Sequence, residues 1–365
     1  MGKIRCIGCG AVIQSEDNKL PGYVPKEVLE RNDLEHLICQ RCHKIKNYSA
    51  IMKNEMPIVQ YYEIMQKITK TNSLFVYVVD LFNLEGSLNH QVIELLKGKD
   101  VILVANKRDL LPKSMKDGKI GVWLRNQVKK LGLRPKDVML ISVKNKYHLD
   151  DLLNNIENRR YGRDVYFLGA TNVGKSSLIN ALIRSVGMLD YDLITTSVIP
   201  ATTLNLIKIP MFSDAMLYDT PGLVNEDNLL SLVDAADFKT IMAKKEVKPG
   251  VYQLNSSQSL LISGFACFNY LKGDKNTFVT YFADTLPMQR SKLERALVLF
   301  PEKVKELFNF KTENLEYERH LFEIKEESDI VVNGLGFISI KSFPATIEVI
   351  AVKGCSVVMR DAICG

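Results

Sequence analysis

The sequence predicts an α/β fold: a doubly wound, mostly parallel sheet, preceded by a small four-cysteine domain and followed by a β-rich α+β domain. Three observations predict it. Between residues 73 and 222, apolar runs of strand length alternate with runs of helical period, the signature of βα units. A glycine-rich run, Gly169-Ala-Thr-Asn-Val-Gly174-Lys175-Ser176, joins one such strand to one such helix. Two C-x-x-C pairs lie upstream, and strand-like runs with turn signals fill the chain from Asp237 onward.

At roughly 100 to 200 residues per domain, a chain of 365 has room for two or three, and its 46% apolar residues supply their cores. The boundaries are read as 1–52, 53–236 and 237–365. Runs such as Val101 to Ala105 are strand-sized, far short of the ~20 residues of a bilayer-spanning helix. The N-terminus carries no apolar run of signal-peptide length, so no membrane association is expected and the cytoplasm is the default compartment. Lys plus Arg at 48 against Asp plus Glu at 42 gives +6, a balance that permits a polyanionic partner without requiring one.

The seven cysteines cannot all pair within the chain, and four of them form Cys6-Ile-Gly-Cys9 and Cys39-Gln-Arg-Cys42. Two residues between ligands let a tight turn aim both sulfurs at one ion, so Cys6, Cys9, Cys39 and Cys42 are read as a closed structural zinc site. Redox pairs or unpaired thiols are the alternative. With no open coordination position the zinc would do no chemistry. Cys267, Cys355 and Cys364 lack ligand spacing and read as buried or terminal thiols.

The run from Gly169 to Ser177 has the G-x-x-x-x-G-K-S form of a phosphate loop in its required strand-to-helix setting. Gly169 and Gly174 let the backbone wrap a phosphate chain, and the amides of Ala170, Thr171, Asn172, Val173 and Ser177, with the helix N-terminus, present positive potential to it. Lys175 would reach the β- and γ-phosphates, and the Ser176 hydroxyl would ligate magnesium. Downstream, Ala215-Met-Leu-Tyr-Asp219-Thr-Pro-Gly222 is a strand ending in D-T-P-G, placing Asp219 near the magnesium and the Gly222 amide near a γ-phosphate. Between them lies Pro200-Ala-Thr202-Thr203. One threonine, Thr203 in preference to Thr202, would close over magnesium and γ-phosphate; a turn or strand cap is the alternative for either.

Upstream, the apolar strand Val101 to Ala105 ends in Asn106-Lys107-Arg-Asp109, an N-K-x-D motif. The Asp109 carboxylate can accept the N1–H and the exocyclic amino group of guanine, donors that adenine does not present. Lys107 would pack along the base and Asn106 would tie this loop to the phosphate loop. A further strand ends in Ser142-Val143-Lys144, where Ser142 and the Val143 amide would support the base O6. Both motifs sit at carboxyl ends of strands, where open α/β sheets bind ligands.

These are the parts of a GTPase in an altered order. An unpermuted Ras-like chain runs phosphate loop, switch threonine, D-x-x-G, N-K-x-D, S-x-K; here the last two come first. The arrangement reads as a circularly permuted P-loop GTPase domain, with the strand at Ser73 to Asp80 displaced to the front and the segment Asn154 to Arg163 closing the usual termini. With four cysteines in front and a long tail behind, the chain resembles the YqeH family of permuted bacterial GTPases, which is associated with assembly of the small ribosomal subunit. The resemblance implies a zinc domain, a permuted domain binding GTP or GDP with magnesium, and a C-terminal domain that contacts RNA or ribosomal protein of the subunit or its precursor.

In Ras-like enzymes a glutamine after D-x-x-G orients the attacking water, whereas this chain has Leu223. Intrinsic turnover should therefore be slow or depend on another group. Asn172 matches the asparagine that helps hold potassium beside the phosphates in several GTPases with an apolar residue at that position; stabilising the loop turn is its alternative role. Lys175, Ser176, Asn172 and Thr203 are the residues expected to act on the phosphates. A GTP-hydrolysing switch is the expected function, and a non-hydrolysing GTP-sensing scaffold that binds RNA or ribosomal protein is the alternative.

In the tail, Gln253 to Gly264, Asn276 to Ala283, Asp329 to Ile340 and Thr346 to Gly354 read as strands and Ser291 to Phe308 as an amphipathic helix. Cations from Lys239 to Arg295, interleaved with Tyr252, Phe268, Tyr270, Phe278, Tyr281 and Phe282, would form either an RNA-facing surface or a solvated face over an ordinary core.

Overall fold

The first sheet is built from β1 (Leu74–Asp80), β2 (Val101–Asn106), β3 (Asp137–Leu140), β4 (Val165–Gly169), β5 (Thr195–Val198), β6 (Asn205–Ile209) and β7 (Leu217–Asp219). This computed structural model describes residues 4, 12–17, 22–29, 37, 39, 58–185, 195–198, 205–209, 214–300 and 302–363. The seven strands lie in the order β3-β2-β1-β4-β7-β6-β5. From β3 to β7 the pairing is parallel, and β6 and β5 add antiparallel edges.

β1, β2 and β4 are buried along their whole length, as continuous apolar runs in a sheet covered on both faces must be. Phe75, Tyr77 and Val79 point to one face with helices Ile58–Ile68, His90–Leu96 and Asp117–Lys130. Leu74, Val76 and Val78 point to the other, with helices Leu149–Arg160 and Lys175–Ser185. The Asn89 side chain accepts the Val92 amide at the start of its helix, satisfying a donor that the first turn leaves free. Helix Leu149–Arg160 runs through most of the expected closing segment, so the actual link to β4 is confined to residues 161–164.

Chain order runs outward from β1 to β2 and β3, and outward again from β4 to β7. The carboxyl ends of β1 and β4 therefore meet where the strand order reverses, with Val78 beside Gly169 and Asp80 beside Asn106. Ligands bind open α/β sheets at such a point.

Ten further strands follow: β8 (Gly250–Leu254), β9 (Gln258–Ile262), β10 (Ala266–Lys272), β11 (Asn276–Phe282), β12 (Met288–Lys292), β13 (Tyr317–Ile324), β14 (Ser328–Val332), β15 (Gly336–Ile340), β16 (Ala345–Val352) and β17 (Val357–Asp361). They form two antiparallel five-stranded sheets, β12-β9-β10-β16-β13 and β17-β14-β15-β11-β8. The second is a middle layer. Tyr281, Val331 and Phe337 pack toward the α/β region, while the alternate residues Phe282, Ile330, Val332 and Ile338 pack toward the other β-sheet.

That burial on two faces decides between the two readings of the tail aromatics in favour of an ordinary core. Phe268, Tyr270, Phe278, Tyr281 and Phe282 are core residues rather than stacking platforms for bases. The expected helix Ser291 to Phe308 is instead the end of β12 followed by two short helices, Leu293–Leu299 and Val304–Phe308. Pro301 falls between them in the sequence, and its missing amide and fixed φ stop a helix.

Arg360 pins the middle sheet to the α/β region. Its guanidinium is held at 2.7 and 2.8 Å by Glu85 and at 3.3 Å by Asp329, and lies 4.8 Å from the ring centres of Trp123 and Phe337. Burial pushes the Asp329 carboxyl upward, with Arg360 opposing. A carboxyl raised in the fold contributes stability below its unfolded value and loses it as pH rises through the raised value. Arg360→Ala removes the cation that opposes this rise, leaving Asp329 buried without a counter-charge and raised further, and should destabilise by about 3 to 5 kcal/mol at neutral pH. The deficit against the unmodified chain should shrink on mild acidification, in thermal melts at both pH values; a deficit independent of pH would separate Asp329 from the effect.

Candidate functional site

The phosphate-loop sequence forms a tight turn from β4 into helix Lys175–Ser185. Gly174 has φ +91°, and a Cβ there would lie 2.4 Å from Asn106 Nδ2; one on Gly169 would lie 2.6 Å from the Val78 carbonyl oxygen. The backbone thus takes a course that only glycine permits at both ends. Lys175 is buried at the helix start and donates to the Asp219 carboxylate and the Thr220 carbonyl. The Ser176 hydroxyl lies 3.4 Å from the other Asp219 oxygen. A buried ammonium, a hydroxyl and a carboxylate therefore converge in front of a glycine cradle, a donor set that suits a magnesium-bound phosphate chain.

The N-K-x-D and S-x-K motifs are locked to this loop through Asn106. Its Nδ2 donates to the Val173 carbonyl at 2.9 Å, and its Oδ1 accepts the Val143 amide at 3.2 Å. Asp109 Oδ1 accepts the Ser142 hydroxyl at 2.6 Å, while Lys144 Nζ stands 4.0 Å from Asp109 Oδ2. Lys107 occupies the left-handed region at φ 67°.

After β7, the D-T-P-G run turns alongside the phosphate loop. Thr171 N–H donates to the Leu223 carbonyl at 2.8 Å, and Leu223 N–H to that of Gly169 at 3.4 Å. The Leu223 side chain is buried in the apolar cluster with Tyr166 and Leu168. Thr202 and Thr203 lie outside the described residues, as do Cys6, Cys9 and Cys42; Cys39 is described and fully buried beside Val24 and Leu37. Among the described residues no cluster of three metal-ligating side chains occurs.

Two family models match the chain: 50S ribosome-binding GTPase over residues 164–259, and YqeH-like, C-terminal over 275–363. Over its full length, and over the full length of the relative, the chain is 38% identical to uncharacterized protein YqeH of Bacillus subtilis. The chain belongs to the YqeH family. The chain is also similar to NO-associated protein 1, chloroplastic/mitochondrial, of Arabidopsis thaliana, 28% identical over 93% of this chain and 70% of that one. A putative nitric oxide synthase of Oryza sativa is 27% identical over 92% and 69%. The GTPase domain is of the P-loop type, with the strands that lead into N-K-x-D and S-x-K placed ahead of the phosphate loop.

Sequence reasoning missed Asp80, at the carboxyl end of β1. Its Oδ2 accepts Lys107 Nζ at 2.6 Å and its Oδ1 accepts the amides of Phe82 and Asn83 at 3.0 and 3.3 Å. The signal was present: a lone acid ending an apolar strand, as Asp219 does. A cavity of about 350 Å³ opens beside this pair, lined among others by Lys107, Thr171, Asn172, Asn225 and Phe238. The segment after D-T-P-G reaches the C-terminal sheets directly, with Ser356 N–H donating to Asp227 O at 2.9 Å and Leu229 N–H to Asn333 O at 3.0 Å. No helix among the described residues is long and apolar enough to cross a membrane.

Proposed function

We propose that this chain is a GTP-hydrolysing switch that assists assembly of the small ribosomal subunit. The observation that carries the reading is the mutual locking of base-reading and phosphate loops through Asn106, at the reversal point of the sheet. Asp109, Ser142 and Lys144 read guanine, and the Val143 amide, which donates to Asn106 Oδ1, holds their loop in place. The backbone from Gly169 to Ser177 holds the phosphates, Lys175 faces the β- and γ-oxygens, and Ser176, Asp219 and Thr203 hold magnesium, which supplies neutralisation of phosphate charge when bound. Gly222 answers to the γ-phosphate, and the bonds of Asp227 and Leu229 pass its ordering to the C-terminal sheets.

Leu223 is 4% exposed and turned into the core, so it holds no water. Asn172 is exposed at φ 64° on the loop, which suits a potassium ion that neutralises charge as the phosphate leaves. The zinc reading of Cys6, Cys9, Cys39 and Cys42 stands with this proposal, as do the divisions at 52 and 236 and a cytoplasmic site of action; elemental analysis of the purified chain decides the zinc.

A ribosomal partner is supported by the name of the matched domain, 50S ribosome-binding GTPase, which names the large subunit; the small subunit is preferred because the YqeH family, to which the chain belongs, is associated with its assembly. The test is GTP turnover alone, with small subunits and with large subunits, each in potassium and in sodium. Stimulation by small subunits, greater in potassium, is the expected outcome. Stimulation by large subunits alone overturns the choice of partner. Background turnover throughout, with GTP binding intact, selects the second reading that the buried Leu223 favours, a non-hydrolysing GTP-sensing scaffold.

A further inference from the structure

The loop that leaves β1 at Asp80 meets three separate parts of the protein within a few residues. On the base side, the Asp80 carboxylate fixes the Lys107 ammonium through one oxygen and the Phe82 and Asn83 amides through the other. On the C-terminal side, Asn83 Oδ1 accepts the Gly334 amide at 2.9 Å, the Phe82 and Phe337 rings are 6.2 Å apart, and Glu85 holds Arg360. On the side of the D-T-P-G segment, the Gly86 carbonyl accepts Asn225 Nδ2 at 2.9 Å. A Cβ on Gly86 would lie 2.3 Å from Asn83 Nδ2, 2.3 Å from Asn333 Oδ1 and 2.8 Å from Asn228 Nδ2. Side-chain amides from the loop itself, from the C-terminal sheets and from the D-T-P-G segment close over the one residue that has no side chain.

We infer that this loop passes occupancy of the base pocket to the C-terminal sheets, by a route separate from the γ-phosphate. Asp80 is a positioning residue for Lys107, and Asn83 carries its state to Gly334. The physical step is desolvation. The Lys107 side chain is 25% exposed, and a base stacked along it excludes water and strengthens its ion pair with Asp80. A firmer carboxylate fixes the Phe82 and Asn83 amides, and with them the acceptor that Gly334 uses. GDP, which brings the base without a γ-phosphate, should therefore tighten the middle sheet against the α/β region. The inference rests on the guanine-nucleotide reading of the site.

The test is amide hydrogen exchange on the full chain, with and without saturating GDP. It is read at residues 336–340 and 357–361, away from the Asn83 contact itself. GDP should slow exchange there about tenfold, within the usual range of coupling between sites. Asn83→Ala should bind GDP as the unmodified chain does yet lose the slowing, and Asn83→Asp, which keeps an acceptor for Gly334, should restore it. Equal exchange with and without bound GDP overturns the inference, as does slowing that survives in Asn83→Ala. Failure of the guanine reading is distinguished in the same samples, because no GDP would bind.

Discussion

Replacing Lys175 by alanine is expected to weaken GTP binding by about 2 to 5 kcal/mol, or roughly 30-fold to 4,000-fold. Its ammonium is buried against the Asp219 carboxylate and the Thr220 carbonyl, so much of its desolvation is complete before any phosphate arrives. Its loss removes the point charge facing the phosphate oxygens and leaves Asp219, 7% exposed, as an uncompensated anion beside a polyanion. Titration calorimetry on the folded variant measures the loss. Unchanged affinity would remove Lys175 from the phosphate site.

The second large effect is one of base choice. Asp109→Asn should lower affinity for GTP by about 3 kcal/mol, roughly a hundredfold, because a charged acceptor for two guanine donors becomes an amide that offers a donor of its own. Xanthine carries an oxygen where guanine carries the amino group, so xanthosine triphosphate should gain what GTP loses. The Ser142 hydroxyl, which donates to Asp109 at 2.6 Å, can donate equally to an amide oxygen, and the loop should hold its shape. Competition between the two nucleotides reads the exchange; a variant that still prefers GTP would refute the assignment of Asp109.

What the chain declared in advance was set by how its strands are buried. β1, β2 and β4 are uninterrupted apolar runs because helices cover both their faces, and β2 and β4 lead directly into the N-K-x-D and glycine-rich motifs. The same two-sided burial in the tail hid its layers. Phe278 and Tyr281 look like alternating surface aromatics in the sequence, but the faces of β11 are covered by different partners. β13 escaped notice for the opposite reason, since Tyr317–Ile324 is mostly polar and half-exposed. β10 carries the buried Asn269, whose polar character interrupts an apolar run; Ser259 Oγ donates to its Oδ1 at 2.7 Å and its Nδ2 donates to Glu348 at 2.8 Å. Asn83 was invisible because its partner Gly334 is remote in sequence; Asp80 ends an apolar strand as Asp219 does, but no local pattern reports its pairing with Lys107.

The strand order also dictates a schedule of synthesis. A ribosome releases β1, β2 and β3 first, yet β1 is an interior strand whose second neighbour, β4, follows some way behind. Until residues 165–169 emerge, the nascent chain presents the apolar β1 with one row of backbone donors and acceptors unpaired, a template for wrong partners. The half that carries N-K-x-D therefore waits, incomplete, for the half that carries the phosphate loop. Arrested chains that expose residues up to 160 should be cut readily within 74–140 by protease, and chains that expose residues through 219 should resist; equal resistance would mean that the first three strands close without β4.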